Sequence, residues 1–162
     1  MKLDSLYCDK IVIGWDLDNT VISGYVCGDI GLRQDIEGAL QKTIDDGHIN
    51  WLCTSADPAW VQTVFQTCPS LRRYFDKIIT CVDMDPQLCG ERQFKDISKL
   101  GIDVLVDDHG PYKDRARDMY GDAVADRYII VPKADADVVF DISCISNMVT
   151  RLGKLRMGNA EH

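Results

Sequence analysis

Apolar residues along the chain fall into five short runs separated by amphipathic stretches. The first, Ile11-Val12-Ile13-Gly14-Trp15, is apolar on both faces and predicts a central parallel strand over 11–16. Further strands are predicted over 49–54, 77–82, 103–107 and 128–131, the last ended by Pro132. Between them the period becomes helical. Asp35 predicts a helix start, Ile36, Ala39, Leu40 and Ile44 its apolar face, and Gly47 its stop. Pro58 opens a second helix with Trp60, Val61, Val64 and Phe65 as its stripe, and both Trp60 and Trp51 are read as core residues. Helical segments are also expected over 70–75, 95–100 and 112–120. A closing amphipathic helix is expected over 144–155, with a frayed tail at 156–162. Gly24, Gly28 and Gly31 mark a turn and short hairpin within 21–31.

Strands alternating with helices at this spacing predict an α/β fold, a parallel five-stranded sheet in a three-layer Rossmann-like sandwich. The 162 residues fit a single domain, 1–162, with its core at about 11–150.

In such sheets ligands bind beyond the carboxyl ends of the strands, and there the polar residues collect. Strand one ends in Asp16-Leu17-Asp18-Asn19-Thr20. Strand two ends in Thr54-Ser55, and strand four in Asp107-Asp108. Lys95 stands at a helix start between strands three and four. Two carboxylates two residues apart on an extended chain point the same way, and a cation between them makes their burial tolerable. Nucleophile, hydroxyl, ammonium and metal carboxylates together are the parts of a phosphoryl-transfer site. By composition alone Lys99 competes with Lys95 for the ammonium. Arg92, three residues before Lys95, is a candidate for binding a substrate anion.

The formal net charge of −8 argues against a long nucleic-acid groove, though not against gripping one terminal phosphate. Seven cysteines, an odd number without C-x-x-C spacing, are read as reduced thiols. No apolar run approaches the roughly 20 residues that span a bilayer, and residues 1–4 begin no signal-peptide core. The expectation is a cytoplasmic protein with no membrane partner.

The ordered set resembles the four motifs of the haloacid dehalogenase (HAD) superfamily. Asp16-Leu17-Asp18-Asn19-Thr20 matches its D-x-D-x-T signature, Thr54 its lone hydroxyl, Lys95 its lysine and Asp107-Asp108 its acidic pair. Residues 93–101, Gln93 to Gly101, with Val104 to Asp108, are similar to the V-K-D-L-S-x-L-G … D-N-S-P run of the RNA polymerase II C-terminal-domain phosphatases. Here Asp108 replaces their Asn, and His109-Gly110 their Ser-Pro.

The resemblance implies Asp16 as nucleophile, forming an aspartyl-phosphate, and Asp18 as general acid and base. It implies Thr54 on a phosphoryl oxygen, helped by backbone groups around Leu17 and Ser55, and Lys95 as charge balance. The motif residues Asn19 and Thr20 complete the expected phosphate-binding loop. Mg²⁺ would be held by Asp16, the Asp18 carbonyl, and Asp108, Asp107 or both. The intervals Thr20–Thr54 and Thr54–Lys95 hold no folded cap domain, which implies an open site.

The expected function is Mg²⁺-dependent phosphomonoester hydrolysis on a large or partner-presented phosphorylated substrate, a protein or a nucleic-acid end. Two alternatives stay open: a nucleotide-type small-molecule phosphatase closed by the hairpin or by a second copy in a homo-oligomer, and a non-catalytic HAD-like binding module.

Overall fold

The computed structural model describes residues 10–23, 30–84, 93–134 and 141–159, with side chains to 155. Five parallel strands form one sheet: β1 (Val12–Trp15), β4 (Ile49–Cys53), β5 (Lys77–Ile79), β6 (Val104–Asp107) and β7 (Tyr128–Ile130). Their order is β5-β4-β1-β6-β7. Chain order therefore reverses at β1, which pairs with β4 on one side and β6 on the other. This reversal opens a crevice at the carboxyl end of β1, the ordinary ligand position in an open α/β sheet.

Period-two alternation along the strands divides the core into two layers. Ile13, Trp15, Leu52, Val104 and Val106 face one side, where α1 (Ile36–Asp45), α2 (Pro58–Thr67) and α6 (Ser143–Asn159) pack. Cys53, Leu105 and Tyr128 face the other, against α3 (Ile97–Leu100), α4 (Pro111–Tyr120) and α5 (Asp122–Ala125). Gly14 leaves a bare spot on that second face: a Cβ there would lie 2.8 Å from Ile102 Cδ1. Ile102, just past α3, fills the space, so the segment carrying Lys95 is seated directly on β1. A small antiparallel pair, β2 (Ile22–Ser23) with β3 (Gly31–Leu32), flanks the turn expected within 21–31, whose Gly24 and Gly28 lie outside the described residues.

Several local expectations are corrected. The apolar face of α1 turns on Thr43 rather than Ile44, which is exposed. Thr43 is buried because its hydroxyl lies 2.9 Å from Asn50 Oδ1 and 2.7 Å from the Leu40 carbonyl. Asp35 opens α1 through a left-handed backbone (φ 62°), not through a side-chain cap. The third strand ends at Ile79 rather than 82. Asp83 accepts from the Thr80 N–H at 2.8 Å and draws Cys81–Asp83 into a 3₁₀ turn. The segment predicted over 70–75 is the 3₁₀ helix Pro69–Tyr74. Helix at 95–100 begins only at Ile97, after the Asp96 cap. The short helix α5 was not anticipated, and α6 runs to Asn159, into the stretch expected to fray.

A buried polar network fastens the strands that carry the site. Trp15 Nε1–H donates to Asn50 Oδ1 at 2.9 Å, and Asn50 Nδ2 donates to the Leu40 carbonyl at 3.1 Å. This ties β1 to β4 and α1. Asn50→Leu removes the side chain's bonds to Trp15, Thr43 and the Leu40 carbonyl together. Urea unfolding is expected to show a loss of about 2 kcal/mol or more, on the scale of broken buried hydrogen bonds; an unchanged midpoint would contradict the network.

Candidate active site

β1 delivers Asp16 and β6 delivers Asp107 to the same depth, and the Asp16 N–H donates to the Val106 carbonyl at 2.9 Å. Beyond Asp16 the chain turns back on itself. Leu17, buried in the core, accepts with its carbonyl from the N–H groups of Val21 and Ile22, each at 3.0 Å. Asn19 takes the left-handed conformation this turn needs (φ 63°), one a short polar side chain tolerates. Its carbonyl accepts from Ala134 N at 2.8 Å, and Arg33 Nη1 donates to the Thr20 carbonyl at 3.4 Å.

The Lys95 ammonium sits between two carboxylates. It donates to Asp16 Oδ1 and, at 2.8 Å, to Asp107 Oδ2, with all three residues almost fully buried. The backbone at Lys95 is itself held: Tyr128 donates its hydroxyl to the Lys95 carbonyl at 2.9 Å and accepts from Ile97 N at 3.2 Å. Asp96 then caps α3, accepting from Ser98 N at 3.1 Å. These contacts send Lys95 inward to the carboxylates and leave Lys99 exposed. Burial alone would lower the pKa of the Lys95 ammonium; Asp16 and Asp107 outweigh it and hold it above the ordinary lysine value.

Asp16 is fixed at its second oxygen by Thr20, whose buried hydroxyl donates to Oδ2 at 3.1 Å. Asp107 is likewise engaged at both oxygens, Oδ1 accepting from His109 N at 2.8 Å. Its neighbour Asp108 is only half-buried and lines a cleft of about 510 Å³. Asp18, Asn19, Ser55, Asp57, Trp60, His109 and Tyr112 also border that cleft. Burial raises the pKa of Asp18, against the opposing hydrogen bond from Trp60.

The predicted site residues therefore divide. Asp16, Asp18, Asn19, Ser55, Lys95, Asp107 and Asp108 meet at the cleft. Leu17, Thr20 and Thr54 are buried beneath it. Thr54 Oγ1 accepts from Ala56 N at 3.1 Å, shaping the turn that presents Ser55. Arg92 lies outside the described residues. Trp60, read from the sequence as core, does pack against the core, and it also lines the cleft with its indole N–H on Asp18; Tyr112 was not anticipated there. Neither carries a sequence signal, since an aromatic residue on a helical stripe looks the same whether it packs inward or edges a cleft.

Asp16, Asp107 and Asp108 offer carboxylate oxygens within 4.8 Å of one another. Against one ammonium they leave an excess of two negative charges, and all three ligands are hard oxygens. That donor set suits a divalent cation of the Mg²⁺ class. The same excess is felt at Asp16, whose pKa is pushed up to about 7 by burial first, then by Asp107 and Asp108, against the opposing pull of Lys95. Asp16 and Asp107 each have both oxygens engaged by protein donors, and Asp108 is the least buried of the three.

Two outcomes are expected in thermal and urea unfolding. Mg²⁺ at a hundredfold excess over its Kd stabilises the protein by about 2.7 kcal/mol, and Asp108→Asn removes most of that gain. Lys95→Met leaves two buried carboxylates without a counter-charge and costs about 3–5 kcal/mol, whereas Lys99→Ala stays within about 0.5 kcal/mol of the parent. Equal losses at the two lysines would contradict the burial of Lys95.

No family model and no curated protein matches the sequence. Solved structures do. A fission yeast RNA polymerase II CTD phosphatase bound to beryllium fluoride is similar at 18% identity and a TM-score of 0.57, over 94% of this chain and 51% of that one. The chain thus spans about half the length of that phosphatase. A Listeria monocytogenes serotype 4b protein is similar at 16% identity and a TM-score of 0.55, over 89% of this chain and 99% of that one. A Thermotoga maritima protein assigned as a beta-phosphoglucomutase is similar at 10% identity and a TM-score of 0.54, over 85% and 91%. With the sheet order, these likenesses show the fold: the chain shares with those structures a Rossmann-like α/β architecture built on a five-stranded parallel sheet.

Proposed function

We propose that the protein is a Mg²⁺-dependent phosphomonoester hydrolase working through an aspartyl-phosphate. The observation that carries this reading is the Lys95 ammonium between Asp16 and Asp107, beside Asp108 and at the floor of a cleft. An ion triad of pure structural value has no need of a third carboxylate facing an open crevice. A divalent cation held by Asp16, Asp108 and the main-chain carbonyl of Asp18 would neutralise the charge that otherwise keeps a phosphate away from a carboxylate.

The protein's own groups supply the remaining steps. The Asp16 carboxylate, held by Lys95 and Thr20, attacks phosphorus as the ester P–O bond breaks. Asp18 gives its proton to the departing oxygen, which leaves as the alcohol. The Asp18 carboxylate then takes a proton from water. The water oxygen attacks the same phosphorus, releasing phosphate and restoring Asp16. Lys95 balances the charge on Asp16 throughout. Ser55 and the N–H groups of its turn are placed to meet the phosphoryl oxygens; Thr54 holds that turn.

The substrate proposed is a large or partner-presented phosphomonoester. Among the described residues, only the β2–β3 hairpin and ordinary crossover elements separate the motif segments. The cleft volume, about 510 Å³, favours a second reading, since pockets for small ligands fall in that range. In it, a free nucleotide or similar metabolite is hydrolysed.

Turnover of para-nitrophenyl phosphate with Mg²⁺ is expected to fall by about a thousandfold or more in Asp16→Asn, on the scale that covalent and acid–base catalysis contribute. EDTA is expected to abolish it, and a wild type no faster than Asp16→Asn would end the hydrolase reading. A panel of phosphopeptides, 5′-phosphorylated oligonucleotides and nucleoside monophosphates separates the substrate classes. Clear preference for the free nucleotides would reject the macromolecular one.

A further inference from the structure

Trp60 occupies the first turn of α2. Asp57 caps that helix by accepting from the Trp60 N–H at 2.9 Å, and Pro58 fixes the first helical residue. The turn is thus held at its start, and it carries the indole to the cleft. There Nε1–H donates to Asp18 Oδ1 at 2.8 Å, across 42 residues of sequence. Both side chains are half-buried. No other hydrogen bond among the described residues reaches the Asp18 carboxylate. The indole therefore sets the orientation of a side chain that follows the strand end and precedes the left-handed Asn19.

The donor is chemically selective. An indole N–H can only donate, never accept. The contact therefore occupies Oδ1 and leaves Oδ2 as the carboxyl oxygen that this indole does not engage. A hydroxyl or an imidazole at the same place could exchange roles with the acid and compete for its proton; an indole cannot.

We propose that Trp60 is a positioning residue for proton transfer: its indole N–H holds Oδ1 of Asp18, fixes the orientation of the carboxyl and leaves Oδ2 for the exchange with substrate. This inference rests on the hydrolase reading, with Asp18 as acid and base. It predicts a dependence on the leaving group that packing alone does not produce. An alkoxide departs poorly without a proton, whereas para-nitrophenolate departs almost unaided.

The experiment compares kcat/KM for para-nitrophenyl phosphate and for β-glycerophosphate, because kcat/KM reports the first phosphoryl transfer. Trp60→Phe keeps an aromatic ring and removes the donor. It is expected to lower the β-glycerophosphate value by about tenfold or more and the para-nitrophenyl phosphate value by less than about threefold, on the scale of a lost hydrogen bond to a charged group. Trp60→Leu, which lacks the donor but differs in shape, must show the same split. In an Asp18→Asn background, Trp60→Phe is expected to change β-glycerophosphate turnover by less than about twofold, since two residues acting as a unit are not additive. Equal losses on both substrates, full additivity with Asp18→Asn, or no loss at all would each overturn the proposal while leaving the hydrolase reading standing. Wild-type activity no greater than that of Asp16→Asn would instead remove the reading beneath it.

Discussion

A single buried ammonium governs the arrangement of this protein. Lys95 is almost fully buried, a position a lysine holds only with its charge matched. Asp16 and Asp107 match it from adjacent strands, and their own burial is tolerable for the same reason. The consequences spread outward. The strands β1 and β6 must end level with one another, the chain before α3 must enter the core, and Tyr128 on β7 must hold that entry by its hydroxyl. Gly14 lets the exit of α3 lie flat on β1. The core is shaped to carry an ion triad, and the triad in turn marks the cleft.

Around the triad, neighbouring residues share the work of scaffold and chemistry. Asp107 is buried with both oxygens engaged, while Asp108 beside it faces the cleft. Thr54 is buried and shapes its turn, while Ser55 is exposed on the cleft wall. Asp16 is locked between Lys95 and Thr20, while Asp18 is held by one indole contact. In each case, passing off the end of a strand takes successive side chains from the interior to the crevice. A rigid group and a reactive or ligating group can therefore stand one or two residues apart.

The likeness to solved structures concerns the path of the backbone, and fold alone does not imply activity. The functional argument comes from the site: a buried carboxylate held at both oxygens, a second carboxylate with a separate partner, and an uncompensated charge suited to a divalent cation. The overall charge of −8 accords with this, since a strongly anionic surface gives little attraction to a long polyanion.

The parallel α/β architecture was legible because hydrophobic period is a local property. Residues 11–15 and 104–106 read as strands wherever they sit, since burial on both faces demands nearly unbroken apolar runs, and 49–53 does so with Asn50 its one polar residue. Element ends were less legible where a side chain captured the backbone, as Asp83 does at Thr80, or where a polar residue took a core position, as Thr43 does toward Asn50. The motif residues could be picked out as types at strand ends, but their division of labour could not. Whether Lys95 or Lys99 turns inward, how deeply Asp107 and Asp108 are buried, and whether Trp60 reaches Asp18 as well as the core all depend on partners distant in sequence. Lys95 meets Asp16 across 79 residues and Trp60 meets Asp18 across 42. Sequence by itself determined the elements and the chemical inventory at their ends, because periodicity and residue type are carried locally. Only the tertiary structure decided which groups are paired and which face the cleft, because burial and charge balance are set by the neighbours that folding brings together.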